Sequence, residues 1–203
     1  MVTPRTTTIS SHLSELVTRH GLVTPRMLHV AGFVEDSVKR TLRRGVRKGC
    51  FVARDMGPIR YYQFPGSREL GPQTLPIRYA VAMHCAEFGL TRPGHWEMRL
   101  AFPFLTGVEV ATDADGLYVL KVDVGGKPDA HVRRALELHR KLGVHAAYRE
   151  HLDARRIRFR ILTATERKAK EINWYINRAN SPVPIEYAIV PGYEQVLGGI
   201  DHA

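Results

Sequence analysis

The sequence predicts an α+β/α/β chain in which a winged helix-turn-helix over residues 1–68 precedes a small α/β domain with a mixed sheet over residues 69–203. Three observations predict it. Three short helical patterns are followed at once by a hairpin pattern, strands and helices alternate over the last hundred residues, and the positive charge sits at the first end. Residues 1–68 hold 12 Lys or Arg against 4 Asp or Glu, whereas residues 69–203 hold 18 against 16. That asymmetry points to a polyanionic partner.

Ile9, Leu13, Leu16 and Val17 have helical spacing and His20-Gly21 gives a stop, so residues 10–19 read as a first helix. Thr24-Pro25 supplies an N-cap and a proline at the first helical position, which opens a short second helix through Ala31, ending at Gly32. Glu35-Asp36 places negative charge where a helix N-terminus favours it. Val38, Leu42 and Val46 then form an apolar stripe through a third helix that Gly49 ends. Gly45 inside it costs about 1 kcal/mol relative to alanine, so it serves either close packing or a bend. Residues 51–54, a Met56-Gly57-Pro58 turn and residues 59–64 read as a hairpin.

Residues 65–75 carry two Pro and two Gly and read as a linker. A helix over about 76–88 brings Ile77, Ala80, Val81, His84 and Cys85 on or near one face. An irregular piece from Thr91 to Thr106 holds Trp96 and Phe102-Pro103-Phe104. Strands are expected over 107–111, 117–124, 157–163 and 183–190, with helices over 128–142 and 165–178. Arg156, Arg158 and Arg160 alternate with Ile157, Phe159 and Ile161, the period of a strand with one buried face. Strands interleaved with helices require at least one crossover connection.

The composition bounds the function. Thirty Lys or Arg against 20 Asp or Glu give a net charge of +10, and the 44% hydrophobic content excludes a disordered or collagenous chain. Cys50 and Cys85 form no disulfide framework and no zinc spacing, which fits a reducing, cytoplasmic setting. No apolar run approaches the roughly 18 residues of a bilayer span, so no membrane partner is expected.

Lys39, Arg40, Arg43, Arg44, Arg47 and Lys48 fall within ten residues, with no acidic residue between Asp36 and Asp55. A helix meant only to be solvated mixes signs. In a helix-turn-helix the second helix of the motif enters the major groove, early residues near base edges and later ones near phosphate. Ser37, Lys39, Arg40 and Arg43 are the candidates for groove contact, while Arg44, Arg47 and Lys48 suit the backbone. Arg54 and Arg60 flank the hairpin turn and suit a neighbouring phosphate or the minor groove. The expected partner is double-stranded DNA, with a protein partner or a second copy of the chain as further candidates.

The order of features resembles the replication-relaxation family of plasmid and mobile-element proteins, which pair a winged helix with a domain like the PD-(D/E)xK nucleases. The segments that carry the resemblance are residues 112–116, 120–126, 139–142 and 159–169. It implies a restriction-endonuclease-like second domain. In an active member, metal ions held by an Asp and an (Asp/Glu)-x-Lys unit activate water. Carried over, Asp113 or Asp115 would be the first carboxylate, and Lys141 on the following helix would replace the missing base. The second unit reads Lys121-Val122-Asp123, with a lysine where an acid belongs. A cation there opposes metal binding, and Asp113-Ala114-Asp115-Gly116 also reads as a plain strand-connecting turn.

Residues 124–128 lack P-loop spacing, and no partner at catalytic spacing marks His84, Cys85, His139, His151, Ser10, Ser11 or Ser14. The expected function is therefore a DNA-binding accessory or regulatory factor, without an enzymatic or cofactor role, for replication or transfer of a mobile element. A metal-dependent endonuclease and a protein-interaction module are the alternatives.

Overall fold

The computed structural model describes residues 8–93, 97–98, 102–105, 108–114 and 116–198. Residues 94–96, 99–101 and 106 of the irregular piece, Trp96 among them, and Asp115 lie outside them.

Helix α1 (Ile9–His20) is capped by the Thr8 side chain, which accepts from the Ser11 amide, and is stopped by Gly21 in the left-handed region. Helices α2 (Pro25–Val30) and α3 (Glu35–Arg47) follow. Strands β1 (Val52–Met56) and β2 (Ile59–Gln63) then form an antiparallel hairpin. Val23, between α1 and α2, bridges antiparallel to Tyr62 of β2, which clamps the hairpin onto the helices. The apolar stripe of α3 is shorter than expected. Val38 and Leu42 are buried, but Val46 is 38% exposed, because the last turn of α3 runs past α1 and α2.

Gly45 explains what covers that turn instead. A Cβ built there would meet Cδ2 of Phe51 at 2.6 Å, so the glycine lets the ring lie directly on the helix. In an exposed helix, Gly→Ala gains about 1 kcal/mol. Here Gly45→Ala is expected instead to lower stability by about 1–3 kcal/mol, the usual cost of overpacking, because the ring must move. Chemical denaturation checks this, and a variant more stable than the wild type refutes it.

Helix α4 (Thr74–Phe88) begins two residues before the expected position, with Pro76 tolerated in its first turn. It is apolar nearly all round: Leu75, Tyr79 and every residue from Ala80 to Cys85 are buried. The reason is its place, between α1 and α2 on one side and strands β4 and β5 on the other. A 3-10 turn (Pro103–Leu105) precedes β3 (Glu109–Thr112) and β4 (Leu117–Val122). Helix α5 (Pro128–Leu142), helix α6 (Ala146–Asp153), β5 (Ile157–Thr163), α7 (Glu166–Arg178), β6 (Ile185–Ile189) and α8 (Tyr193–Gly198) complete the chain.

The sheet order is β3-β4-β5-β6. The first pair is antiparallel and the other two are parallel, so α5 with α6, and then α7, are the crossovers. Both faces of this mixed sheet are covered, as parallel strands require. Tyr118, Leu120, Val122, Leu162 and Ala188 join one hydrophobic cluster with α1–α4, the hairpin and α8. Val110, Leu117, Val119, Ile157, Phe159 and Ile161 join a second with α5, α6 and α7. The arginines of β5 do not simply face water, as their alternation suggested. Arg160 is nearly buried against α4, with its guanidinium 4.3 Å from the Tyr118 ring centroid and 2.6 Å from Glu186. Among the described residues no helix is long and apolar enough to cross a membrane.

Candidate nucleic-acid interface and the Asp123 cluster

Helix α3 packs on α1 and α2 through Val38 and Leu42, and this fixes which side chains project. At 100° per residue, Lys39, Arg40, Arg43, Arg44 and Arg47 fall on the arc away from that contact, and all are exposed. Ser37 is half-buried, and its carbonyl accepts from the Thr41 hydroxyl. Lys39 is partly neutralised by Glu35, 2.6 Å away one turn earlier. Arg40 donates from Nε to the Asp36 carbonyl at 3.3 Å. No ion pair is made by Arg40, Arg43, Arg44, Arg47 or Lys48 among the described residues.

The two hairpin arginines differ. Arg60 stays exposed beside Asp55, whose oxygens accept from it at 2.7 and 2.9 Å. Arg54 is folded back, donating to Glu69 Oε2 at 2.9 Å and to the Ser67 carbonyl at 3.2 Å. It ties the hairpin to the chain leading to α4. The sequence separation of 15 between Arg54 and Glu69 gave no local signal for that pair.

The residues carried over from the nuclease resemblance do not assemble. Asp113 closes the β3–β4 turn: its Oδ1 accepts from the Gly116 amide at 2.8 Å and its Oδ2 from the Tyr118 hydroxyl at 3.0 Å. Thr112 pairs with Leu117 beside that turn, while Asp123 follows Val122 at the other end of β4. Six strand residues at about 3.3 Å each put the two carboxylates roughly 20 Å apart. The two carboxylates that the resemblance would pair therefore lie at opposite edges of the sheet, one in the hairpin turn and the other at the far end of its second strand. Lys141 is exposed on α5 and does not replace a base beside Asp123.

Asp123 instead gathers five elements. It is 1% exposed, and its carboxylate accepts from the Gly125 amide at 2.9 Å and from Thr163 at the end of β5 at 3.1 Å. Lys168 of α7 places Nζ 2.9 Å from it, and Nε2 of His131 on α5 lies 3.0 Å away. The hydroxyl of Tyr193, on α8, donates to the Asp123 carbonyl at 3.0 Å. Burial alone would raise the Asp123 pKa. The His131 ring beside it, the Lys168 ammonium and the Gly125 amide outweigh it and hold the carboxyl well below the usual range. Lys168, which lies in the 159–169 segment of the resemblance, had no signal beyond its helix, because its partner is 45 residues away.

A divalent metal does not fit these residues. The second carboxylate is absent from this end of the sheet, and an ammonium already stands 2.9 Å from Asp123. Among the described residues no group of three His, Cys, Asp or Glu is placed to hold a metal ion. His84 and Cys85 are both buried on α4, and burial pushes the Cys85 thiol up to about 12, which leaves no nucleophilic thiolate near neutrality. His139 contacts the Tyr148 hydroxyl at 2.7 Å, joining α5 to α6.

In comparisons with known proteins, the chain matches no family model, no curated protein and no solved structure.

Proposed function

We propose that the chain is a DNA-binding accessory or regulatory factor that docks on duplex DNA through a winged helix-turn-helix formed by α1–α3 and the β1–β2 hairpin. The observation that carries this reading is the outward arc of α3, where Arg40, Arg43, Arg44 and Arg47 project without an ion-pair partner among the described residues. Arg40 and Arg47 point most directly away from the packed face. The hairpin, held by the Val23–Tyr62 bridge, offers Arg60 beside the same unit. Arg54, engaged with Glu69, acts in this reading by holding the hairpin rather than by touching DNA. The resemblance to replication-relaxation proteins extends the proposal to replication or transfer of a mobile element. The endonuclease alternative draws no support from the separated Asp113 and Asp123.

Salt and substitution test the reading together. Each neutralised phosphate contributes about 0.9 to the slope of log affinity against log salt. Arg43→Ala and Arg47→Ala are each expected to lower affinity, and the loss of a phosphate contact reduces that slope by about one. If Arg40 or Arg43 forks to a guanine, its removal costs preferred sites about 1–3 kcal/mol more than mixed sequence. Lys48→Ala weakens all sequences alike. Fluorescence anisotropy on duplex DNA over a salt series reads these variants. Affinity independent of salt, or absence of DNA binding, refutes the proposal in favour of a protein-interaction module.

A further inference from the structure

The C-terminal part of the chain is nearly balanced in charge, but its cations are not evenly spread. Residues 127–149 hold six Lys or Arg against two Asp or Glu, while the remainder of residues 69–203 holds 12 against 14. Helix α5 and its N-cap carry five of the six. Arg134 and Lys141 lie seven residues apart on one stripe of α5, and Arg133 and Arg140 form an adjacent stripe, each pair about 10 Å apart along the axis. All four, and Lys127, are exposed.

Their neutralisation is slight. Arg133 is 3.8 Å from Asp129, and the other four cations make no ion pair among the described residues. The neighbouring helix α7 shows the ordinary solvated pattern, with Arg167 3.7 Å from Glu171 and both signs along its length. The α5 surface is therefore a local concentration of charge on a C-terminal part that elsewhere compensates it.

Its place in the fold gives the concentration a consequence. Helix α3 packs on α1 and α2, these pack on α4, and α4 packs on one face of the sheet. Helix α5 packs on the other face. At about 8–10 Å per layer, the outward surface of α3 and that of α5 lie on opposite sides of the molecule. A duplex seated on α3 leaves α5 free.

We propose that α5 is a second polyanion-binding face, and that one molecule holds two DNA duplexes at once, one on α3 and one on α5. The proposal rests on the DNA-binding reading of α3 and adds a bridging activity to it. Lys127, Arg133, Arg134, Arg140 and Lys141 contact phosphates only, so the second duplex is held without sequence preference and released by salt.

The test is a bridging assay in which bead-bound duplex captures a second, fluorescent mixed-sequence duplex through the protein, beside anisotropy measurements on one duplex. The triple variant Arg134→Glu/Arg140→Glu/Lys141→Glu is expected to cut capture by about tenfold or more, as the loss of several phosphate contacts implies, while its affinity for a preferred single duplex stays within about threefold. The milder Arg134→Gln/Arg140→Gln/Lys141→Gln variant falls between it and the wild type, which separates charge loss from misfolding. Wild-type protein that binds one duplex but captures no second overturns this proposal and leaves the α3 reading intact. Capture at the wild-type level by the Glu variant also overturns it, since bridging would then come from self-association. Failure of the wild type to bind any duplex overturns both.

Discussion

Replacing Lys168 with methionine is expected to lower stability by about 3–5 kcal/mol, the range for removing one partner of a buried ion pair. The size follows from what is left behind. Asp123 is 1% exposed, and without the ammonium at 2.9 Å its charge keeps only the Gly125 amide, Thr163 and His131 as neighbours. The double variant Asp123→Asn/Lys168→Met removes both charges and is expected to recover much of the loss, because a neutral replacement of a buried pair is often close to neutral in stability. Urea denaturation with an unchanged m-value reads both. A Lys168→Met protein as stable as the wild type would show that Lys168 does not hold Asp123.

The same cluster explains how an apparent catalytic signature becomes a structural one. Lys121-Val122-Asp123 ends β4, where Asp123 continues the ladder through its amide to Leu162 at 2.8 Å. From there one carboxylate ties β4 to the end of β5, to α5 and to α7, and its carbonyl ties α8. Lys168 ties α7, and His131 ties α5, to the end of β4.

Much of the architecture was legible because the local signals agree. Thr24-Pro25, Gly21 and Gly49 mark helix ends that the structure places within one or two residues. Pro128 to Leu142 and Ile157 to Thr163 coincide with α5 and β5. What was not legible depends on tertiary contact. Helix α6 received no assignment between residues 142 and 157, since its one buried anchor is Tyr148, held by His139 across the α5–α6 turn. Val46 fits the periodicity of α3 yet is exposed, whereas the neighbouring Gly45, which carries no apolar side chain, is the residue that the Phe51 ring covers. On the α3 surface, the sequence identifies the cations but not which are free. Only the fold shows Arg54 drawn to Glu69 while Arg43 and Arg47 project.

Acidification from pH 6.5 towards pH 4 is expected to destabilise the protein steeply, because two histidines are buried in neutral form. His84 is completely buried, and burial, reinforced by the Arg160 guanidinium, pushes its pKa down to about 3. Arg160 can only donate, so His84 Nε2 accepts at 3.1 Å and the ring proton sits on Nδ1, which has no partner. His20, 3% exposed, is likewise pushed down to about 3, by burial and then by Arg92, Arg78 and Arg19. In both cases the folded value lies below the unfolded one, near 6.5. The unfolded chain therefore takes up protons first: full stability is present above that pH and is lost as pH falls towards the folded values. Each histidine contributes at most about 1.4 kcal/mol per pH unit in this window, and two of them approach the whole stability of an ordinary domain before pH 3. The depressed Asp123 carboxyl adds a separate loss only below about pH 4, where its unfolded form becomes protonated. His84→Gln keeps an acceptor for Arg160 and cannot titrate, so its stability between pH 6.5 and 4 should fall with about half the wild-type slope. Denaturation midpoints measured across this range decide it, and a wild-type profile flat down to pH 4 would mean that neither histidine is held neutral by the fold.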